Sequence, residues 1–316
     1  MKTNVNYSLF AIFFLYFLIP PFGGIIGGLF AQQNTLYSQY MFNLFAINPG
    51  YAGSRQSTCG VLLYRNQWVG MDGAPQVETF SLHTPFQGKR VALGLNAFND
   101  NIGPSNKMGF FGTYAYHLPL PLGKLSMALR AGIYRYKFYN QKLDYKDKSD
   151  PAGNVEDNFL IPGFDFGLYY YNKTLYAGVA VMHISNNQIG FKNDDYLYSG
   201  LTRQFIAIAG KAFVVNEKVV LKPSANLKFV DGLPLNGDLN MSCLFRKMYW
   251  IGVSYRSSKD VIIIAEVNFT DFLRAGYAYD VGLSGLKKYN NGSHEIFIGF
   301  DFGIPREKTV ASPRYL

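Results

Sequence analysis

The sequence carries little charge, and beyond its N-terminal region it has no hydrophobic run long enough to cross a membrane as a helix. Charged residues make up 16% of the 316 positions, whereas an ordinary soluble domain has about 25%. No run of about eighteen apolar residues follows position 32. The mean hydropathy of -0.01 is also too low for a bundle of transmembrane helices. These features exclude a helical membrane protein and disfavour a soluble domain of ordinary composition.

Cysteine and histidine are scarce, which argues against a disulfide and against a metal site. Cys59 and Cys243 fall on predicted strands that are not neighbours, and a disulfide needs Cα atoms within about 7 Å. We therefore expect two unpaired thiols. The four histidines fall on four different predicted strands, without an HExxH motif or a close pair. They are His83, His117, His183 and His294. The sequence therefore predicts no metal site and no cofactor.

Motifs of common enzymes are missing as well. We find no G-x-S-x-G, P-loop or G-x-G-x-x-G sequence. Ser81 and His83 share one face of a predicted strand, but no third catalytic group can be named beside them. Triads are defined by geometry, so a hydrolase stays open as a distant alternative. The sequence favours a protein that is not an enzyme.

The basic residues are not clustered. Removing Lys2 with the N-terminal leader described below lowers the formal net charge from +9 to +8. A nucleic-acid-binding protein usually gathers its lysines and arginines on one face or in one run. Here they are scattered singly through strands and connections, so we expect no nucleic-acid partner. Anionic lipid head groups or an acidic protein suit this balance better.

Positions 1–31 differ from the rest of the chain. A basic start at Lys2 precedes the apolar run 9–19, which Pro20 and Pro21 interrupt, and small residues lead to Ala31. This order is typical of a secretory signal peptide, with cleavage near Ala31. A retained membrane anchor is the alternative, but the proline pair would break a spanning helix.

The remaining chain is rich in aromatics, 17% of all residues, and alternates apolar with polar positions. In 234–245, for example, Leu239, Met241 and Cys243 alternate with polar neighbours. Segments of about ten residues with a two-residue period predict strands with one apolar face. We predict about fourteen strands, near 59–68, 75–84, 90–99, 107–117, 124–138, 163–171, 174–184, 202–213, 218–230, 234–246, 248–257, 261–269, 271–281 and 293–303.

The lengths of the connections favour one all-β architecture over another. Connections after even-numbered predicted strands are short, whereas 139–162, 185–201 and 282–292 all follow odd-numbered strands and are long. Transmembrane barrels have short periplasmic turns and longer outside loops, while a soluble β-sandwich has no reason to sort its connections. We therefore predict a closed antiparallel transmembrane β-barrel over 59–303. Both chain ends are expected in the periplasm, with 304–316 as a periplasmic tail.

Two arginines on predicted strands constrain how the barrel faces its surroundings. Arg130 or Arg274 on the lipid face near the bilayer centre would cost about 2–4 kcal/mol. We therefore expect both side chains to point inward, where a carboxylate such as Asp238 or Glu266 can pair with them.

Residues 32–58, the predicted periplasmic N-terminal segment, do not alternate like the strands. Aromatic residues are spaced irregularly in this stretch, and Asn48-Pro49-Gly50 predicts a turn. Such a segment could tuck into the barrel mouth or present a docking surface. We take seven of its residues as candidate partner-binding residues. They are Tyr37, Tyr40, Phe42, Asn43, Asn48, Pro49 and Tyr51.

Several short motifs span nearly the whole mature chain. They are Tyr37–Asn43, Ile47–Gly53, Arg65–Gly70, Gly73–Pro75, Asn99–Gly103 and Ser293–Ile296. Together, and in this order, they resemble the PorP/SprF proteins of the type IX secretion system. Family members usually have Ala where this chain has Gly50, which is a small change.

The resemblance implies an outer-membrane protein of that system. Its expected partners are outer-membrane lipid, the secretion machinery and secreted cargo with a C-terminal secretion signal, including adhesins for gliding motility. A passive porin-like channel is the alternative function. The cargo, the oligomeric state and whether the lumen is open or plugged stay undetermined at this level.

Overall fold

The computed structural model describes residues 35–303, apart from 56, 87, 140, 142–155, 186–187 and 191–197. The predicted signal peptide 1–31 and the predicted tail 304–316 lie outside the described residues. Among the residues that are described, no helix is long and apolar enough to span a membrane.

The described chain is built almost entirely from antiparallel strands. Their bounds are β1 Thr58–Asn66, β2 Gln76–Pro85, β3 Val91–Ile102, β4 Ser105–Leu120, β5 Gly123–Tyr139, β6 Glu156–Tyr171, β7 Leu175–Met182, β8 Gln188–Gly190, β9 Tyr198–Gly200, β10 Gln204–Lys211, β11 Phe213–Asn216, β12 Val219–Val230, β13 Asn236–Phe245, β14 Tyr249–Arg256, β15 Asp260–Asn268, β16 Leu273–Gly282 and β17 Ser293–Phe302.

Fourteen barrel strands result from these seventeen segments. β8 and β9 pair only with each other, in a separate hairpin, and β10 and β11 both pair with β12. The two segments β10 and β11 therefore form one barrel strand, interrupted at Ala212. The prediction of about fourteen strands is confirmed. The small hairpin was not predicted.

The sheet closes on itself into a ring. The first strand pairs with the last, so that Leu62 lies opposite Phe80 on one side and Ile298 on the other. β10 pairs with β7 and with β12, which completes the ring. Closure pairs the backbone groups that an open edge would leave exposed. A closed barrel can therefore stand in lipid, where backbone polar groups find no water.

The two faces of each strand meet different surroundings, as the alternation predicts. Outward side chains such as Phe110, Leu129 and Ile251 are large, apolar and exposed, as a lipid-facing surface requires. Inward positions carry polar residues such as Thr79 and Ser81, which are buried.

The prediction that both strand arginines point inward is confirmed. Arg130 forms an ion pair with Asp165 at 2.7 Å, and Arg274 pairs with Glu266 at 3.7 Å and with Asp301 at 3.5 Å. Cys59 and Cys243 are unpaired, again as predicted.

The connections divide between the two ends of the barrel. One end, which we call the turn end, has the connections after even-numbered barrel strands, at 86–90, 121–122, 172–174, 217–218, 246–248 and 269–272. The other, the loop end, has the described connections 67–75, 103–104, 231–235, 257–259 and 283–292, and β5 and β7 end there while β6 and β10 begin there. By the usual rule the loop end is expected to face outside the cell.

The start of β6 differs most from its predicted position. β6 begins at Glu156 instead of near 163, and it pairs with β5 along its whole length up to Tyr139 opposite Glu156. Pro162 suggested an end because proline cannot donate to a ladder. The long neighbouring strand nevertheless supplies pairing partners on both sides of that proline.

Candidate functional site in the barrel lumen

Residues 35–55, which we call the lumen segment, lie inside the barrel. Every side chain from Tyr37 to Arg55 is buried, and Phe45 is only 1% exposed. Three short helical turns fold this stretch, at Tyr40–Phe42, Leu44–Ile47 and Pro49–Tyr51. Of the two roles that the sequence allowed, tucking into the barrel or presenting a surface, the structure shows the first.

The lumen segment crosses the barrel from the loop end to the turn end. Near its start, Thr35 donates a hydrogen bond to Asp100 close to the loop end of β3, at 3.0 Å. Near its finish, Arg55 pairs with Asp301 at the turn end of β17, at 3.1 Å. The periplasmic position of this segment stays a prediction. Thr35 lies at the end opposite to the start of β1.

This path predicts which residues can be reached from outside the cell. A Thr35→Cys variant should react with an impermeant thiol reagent on intact cells, because Thr35 is half-buried at the loop end. The matched variant Leu122→Cys, in a turn at the other end, should react only after lysis. The reverse pattern would show that the turn end faces outward.

An ion cluster holds the segment near the loop end. The Glu295 carboxylate accepts the backbone N–H groups of Ser38 and Gln39, both at 2.8 Å. These amides precede a helical turn, where N–H groups lack partners within the chain. The Ser38 hydroxyl accepts from Arg65 at 2.6 Å and donates to Asp280 at 2.7 Å. One serine thus sits between a buried cation and a buried anion.

Two arginines balance the carboxylates of this cluster. Arg65 lies 2.7 Å from Asp280 and 3.4 Å from Glu295. Arg256 lies 2.6 Å from Asp238 and 3.4 Å from Asp280, and it donates to the Tyr37 carbonyl at 3.3 Å. Removing one member of a buried ion pair costs about 3–5 kcal/mol, because its partner is left uncompensated. The cluster therefore ties the segment to the wall.

Aromatic rings fill the middle of the lumen. The Phe42 ring lies 5.9 Å from the rings of Trp250 and Phe297. The Lys222 ammonium lies 5.5 Å from the Phe42 ring and 4.8 Å from Trp250, so its charge is held by cation–π contacts. Arg274 donates to the Phe42 carbonyl at 3.2 Å. This wall therefore supplies both apolar surface and cations to the segment.

Asn48 anchors the next turn against glycines of the wall. Its side chain accepts from the Gly50 amide at 2.8 Å and donates to the carbonyls of Leu168 at 3.0 Å and Val179 at 3.4 Å. A Cβ atom on Gly178 would meet the Asn48 side-chain nitrogen at 2.6 Å. The absence of side chains on this part of the wall lets the predicted Asn-Pro-Gly turn pack against it.

Two histidines support the last part of the segment. His83 accepts the Gly53 amide at 3.2 Å, and its ring packs edge-on against Tyr51 at 5.5 Å. His117 lies 3.0 Å from the Ala52 carbonyl. Gly53 has a φ of +73°, which favours glycine. Both histidines act in packing, and the described residues contain no cluster of His, Cys, Asp and Glu that could hold a metal ion.

Burial controls the ionisation of the segment's tyrosines. It raises the pKa of Tyr37 to about 12 and that of Tyr51 to about 12, and it raises the pKa of Tyr40 well above its ordinary value. In each case loss of solvation is the largest cause, since the phenolate would be the form left without water. The three hydroxyls are therefore neutral over the physiological pH range.

Among the described residues, a small cavity adjoins the segment. It has a volume of about 50 Å³ and is bordered by Ile47, Lys107, Arg130, His183 and Lys228. That volume holds about one or two water molecules, since each takes up about 30 Å³ in the liquid. The arrangement suits a filled barrel better than an open aqueous pore.

All seven candidate partner-binding residues are buried in the lumen. Six of them form side-chain contacts with the wall. Tyr37 bonds to Thr79 at 3.0 Å, Tyr40 to Ser224 at 3.2 Å and Asn43 to Ser81 at 3.3 Å. Their role in binding a partner stays a prediction, since a partner could reach them only by entering the lumen.

Several residues that hold the segment were not selected from the sequence. They are Arg55, Arg65, Gly167, Gly178, Arg256, Asp280, Glu295 and Asp301. The strand pattern could have indicated the charged residues of this set that lie on strands. Charged residues at inward positions of amphipathic strands need partners inside the barrel.

The resembling motifs, far apart in sequence, meet in the structure. Ser38 and Gln39 of the first motif contact Glu295 of the last. Arg65, which begins another motif, contacts both Ser38 and Glu295. The Trp68 amide donates to Ser293 at 3.1 Å. Residues of these motifs therefore form the contacts that hold the lumen segment inside the barrel.

The fold and the site together define an outer-membrane β-barrel whose lumen is filled by its own N-terminal segment. Residues 29–300 match the family described as type IX secretion system membrane protein PorP/SprF. The chain belongs to this family, as its motifs suggested, and it is an outer-membrane component of that secretion system. No curated protein sequence matches it.

Three solved structures to which this chain is similar are distant from it in sequence. The outer-membrane protein Omp33 of Acinetobacter baumannii is 8% identical with a TM-score of 0.46, and the match covers 78% of this chain and 99% of that one. The CymD monoaromatic hydrocarbon channel is 10% identical with a TM-score of 0.49, covering 86% and 94%. A mutant porin of Rh. blastica is 10% identical with a TM-score of 0.33, covering 78% and 99%.

Proposed function

We propose that this barrel binds secreted cargo at the cell surface, as an anchor for proteins that carry a C-terminal secretion signal, including adhesins for gliding motility. The observation that carries the proposal is the filled lumen in a member of a secretion family. A barrel occupied by its own chain is poorly suited to pass solutes. Its outer loops are then the surface offered to partners, and the role requires no catalytic group.

The loop end has a region suited to such binding. The connections 67–75, 103–104 and 283–292 are joined by backbone hydrogen bonds, and we call them the loop platform. Val69 donates to Gly292 at 2.9 Å and accepts from Asn291 at 2.8 Å, while Gly103 donates to Gly73 at 2.9 Å. A surface ordered in advance loses less entropy when it binds.

A hollow in the loop platform offers polar groups to a polypeptide. It measures about 310 Å³ and is lined by residues such as Asn66, Asp72 and Asn101. Extended polypeptides are recognised largely through main-chain hydrogen bonds. The platform therefore presents hydrogen-bonding groups on a rigid frame at the end predicted to face outside.

Photo-crosslinking in intact cells tests this assignment. A photoreactive residue at Met71, half-buried in the loop platform, should give a covalent adduct with a secreted protein. The same residue at Leu122, which is 82% exposed at the turn end, should give none. A position inside the lumen, Tyr40, tests the seven predicted partner-binding residues.

Each outcome decides between the proposals. Adducts at Met71 alone support the loop platform. Adducts at Tyr40 would show that cargo enters the lumen and would restore the partner-binding role of the lumen residues. If secreted proteins form adducts at neither position while the barrel is folded and the cargo is expressed, cargo anchoring is wrong.

A further inference from the structure

The pairing of β1 with β17, which we call the seam, joins the first and last strands of the described barrel. Every other pairing in the ring joins barrel strands that follow each other along the chain. At the seam, Leu62 lies opposite Ile298, which is far away in sequence. The entropic cost of bringing two parts of a chain together rises with the length of chain between them, and non-local pairings form slowly. The seam is therefore the pairing that costs the most entropy to form.

The lipid-facing side of the seam does not define a unique register. The outward residues of β17 at this level are Ile296, Ile298 and Phe300, and all three are apolar. A slip of one residue would turn every side chain to the wrong face. A slip of two residues keeps the faces and places Leu62 opposite Ile296 or Phe300 instead of Ile298. The side chains in the lumen therefore have to distinguish the native register from a slipped one.

The lumen segment runs along the seam and contacts β17 at two places. Near the loop end, Glu295 accepts the backbone N–H groups of Ser38 and Gln39, both at 2.8 Å. Near the turn end, Arg55 lies 3.1 Å from Asp301. Arg55 is close to the start of β1 in the chain. The segment is thus joined to β1 by covalent bonds and to β17 by contacts with two carboxylates.

Ser38 contacts both sides of the seam. Its hydroxyl accepts from Arg65 of β1 at 2.6 Å and donates to Asp280 of β16 at 2.7 Å. In the native register, Arg65 also lies opposite Glu295. A slip of two residues would move Glu295 away from Arg65 and from the Ser38 amide, because the segment is attached to β1. Such a slip would leave buried charges without their partners, which is strongly unfavourable.

Contacts with β2 can hold the segment in place before the seam forms. Tyr37 bonds to Thr79 at 3.0 Å, and Asn43 bonds to Ser81 at 3.3 Å. Both partners lie on β2, which pairs with β1. These residues are close in sequence, and local contacts form faster than non-local ones. The segment, β1 and β2 can therefore form a unit that offers the segment's polar groups to β17.

We propose that the lumen segment is the template on which the barrel closes. It packs against β1 and β2, and its Ser38, Gln39 and Arg55 groups bind the two carboxylates of β17 in one register only. Pairing of β1 with β17 follows from this contact, so the segment determines both the rate and the register of closure. The proposal concerns how the barrel assembles and does not depend on cargo binding.

Crosslinking during refolding tests the template. The full chain is diluted from urea into detergent micelles, and brief pulses of diamide oxidise thiols that have come opposite each other. The seam pair is Leu62→Cys/Ile298→Cys, and the control pair is Met241→Cys/Val253→Cys between β13 and β14. All four side chains are exposed on the outward face, and residues directly opposite each other are close enough for a disulfide. The two native cysteines are replaced by serine in both proteins.

Ser38→Ala removes the hydroxyl that lies between Arg65 and Asp280. Seam crosslinking should slow about tenfold, because a hydrogen bond to charged groups that forms during closure is lost. The control pair should crosslink at the wild-type rate. Asn48→Ala is the matched variant within the segment, since it removes hydrogen bonds to β6 and β7, away from the seam. It should leave both crosslinking rates unchanged and only make unfolding faster.

Three results would overturn the proposal. They are a seam rate in Ser38→Ala equal to that of the wild type, slowing of the control pair to the same degree, and equal slowing of the seam by Asn48→Ala. Heat-modifiable migration on gels establishes that each variant is folded. Gln39→Leu removes side-chain bonds to the Glu295 carbonyl at 3.2 Å and carboxylate at 3.3 Å. It should also slow the seam, and it tests the template even if Ser38→Ala fails to fold.

Discussion

Gly167→Val is expected to displace the lumen segment and to convert a closed barrel into one that conducts ions. A Cβ atom at Gly167 would meet the Gly50 amide nitrogen at 2.8 Å and the Pro49 Cδ atom at 2.9 Å. These atoms belong to the backbone and a ring, so they cannot rotate away. Overpacking of this kind costs about 1–3 kcal/mol, and the hydrogen bonds of Asn48 are lost with it. Planar-bilayer recordings should show channel steps that the wild-type protein lacks.

The matched control is Gly112→Val. Gly112 is exposed on the outward face, and a Cβ atom there would have nothing within 4 Å. This variant makes the same chemical change in a neighbouring part of the wall, so it should stay closed. If Gly167→Val is also closed, the lumen segment is not what seals the barrel. If the wild type already conducts, the porin-like alternative gains support over cargo anchoring.

Arg65→Met is expected to destabilise the folded barrel by about 3–5 kcal/mol. Arg65 is 1% exposed and contacts Ser38, Asp280 and Glu295. Methionine matches much of its volume but leaves the Glu295 carboxylate without a paired cation. Urea titration of the purified barrel in detergent, followed by tryptophan fluorescence, measures the change in the free energy of unfolding.

Arg90→Met serves as the control for this prediction. Arg90 is exposed in a turn, and surface substitutions usually change stability by no more than about 0.5 kcal/mol. The double variant Arg65→Met/Glu295→Gln should recover part of the loss, since it removes the uncompensated charge. Equal stability of Arg65→Met and Arg90→Met would mean that the ion cluster does not hold the segment in place.

The barrel itself could be read from the sequence because its determinants are local. Side chains alternate every two residues along a strand, so the pattern around Leu239 and Met241 predicts both the strand and its two faces. The lengths of the connections separated the two ends. Charge inside an amphipathic strand predicted that Arg130 and Arg274 point inward. At Pro162 the local pattern wrongly predicted that a strand begins after the proline. Pairing with the long neighbouring strand β5 instead sets where β6 begins.

The occupant of the lumen was decided only by the tertiary structure. The irregular aromatics of residues 35–55 fit a plug and a docking surface equally well, because both uses place large rings against another surface. The pairing of Arg65 with Glu295 joins residues 230 positions apart, and Asp165, not Asp238, pairs with Arg130. Such contacts depend on the barrel's width and on the path of the segment through it. No local pattern in the sequence encodes the barrel's width or the path of the segment. The complete set of contacts between segment and wall therefore forms only when the sheet has closed.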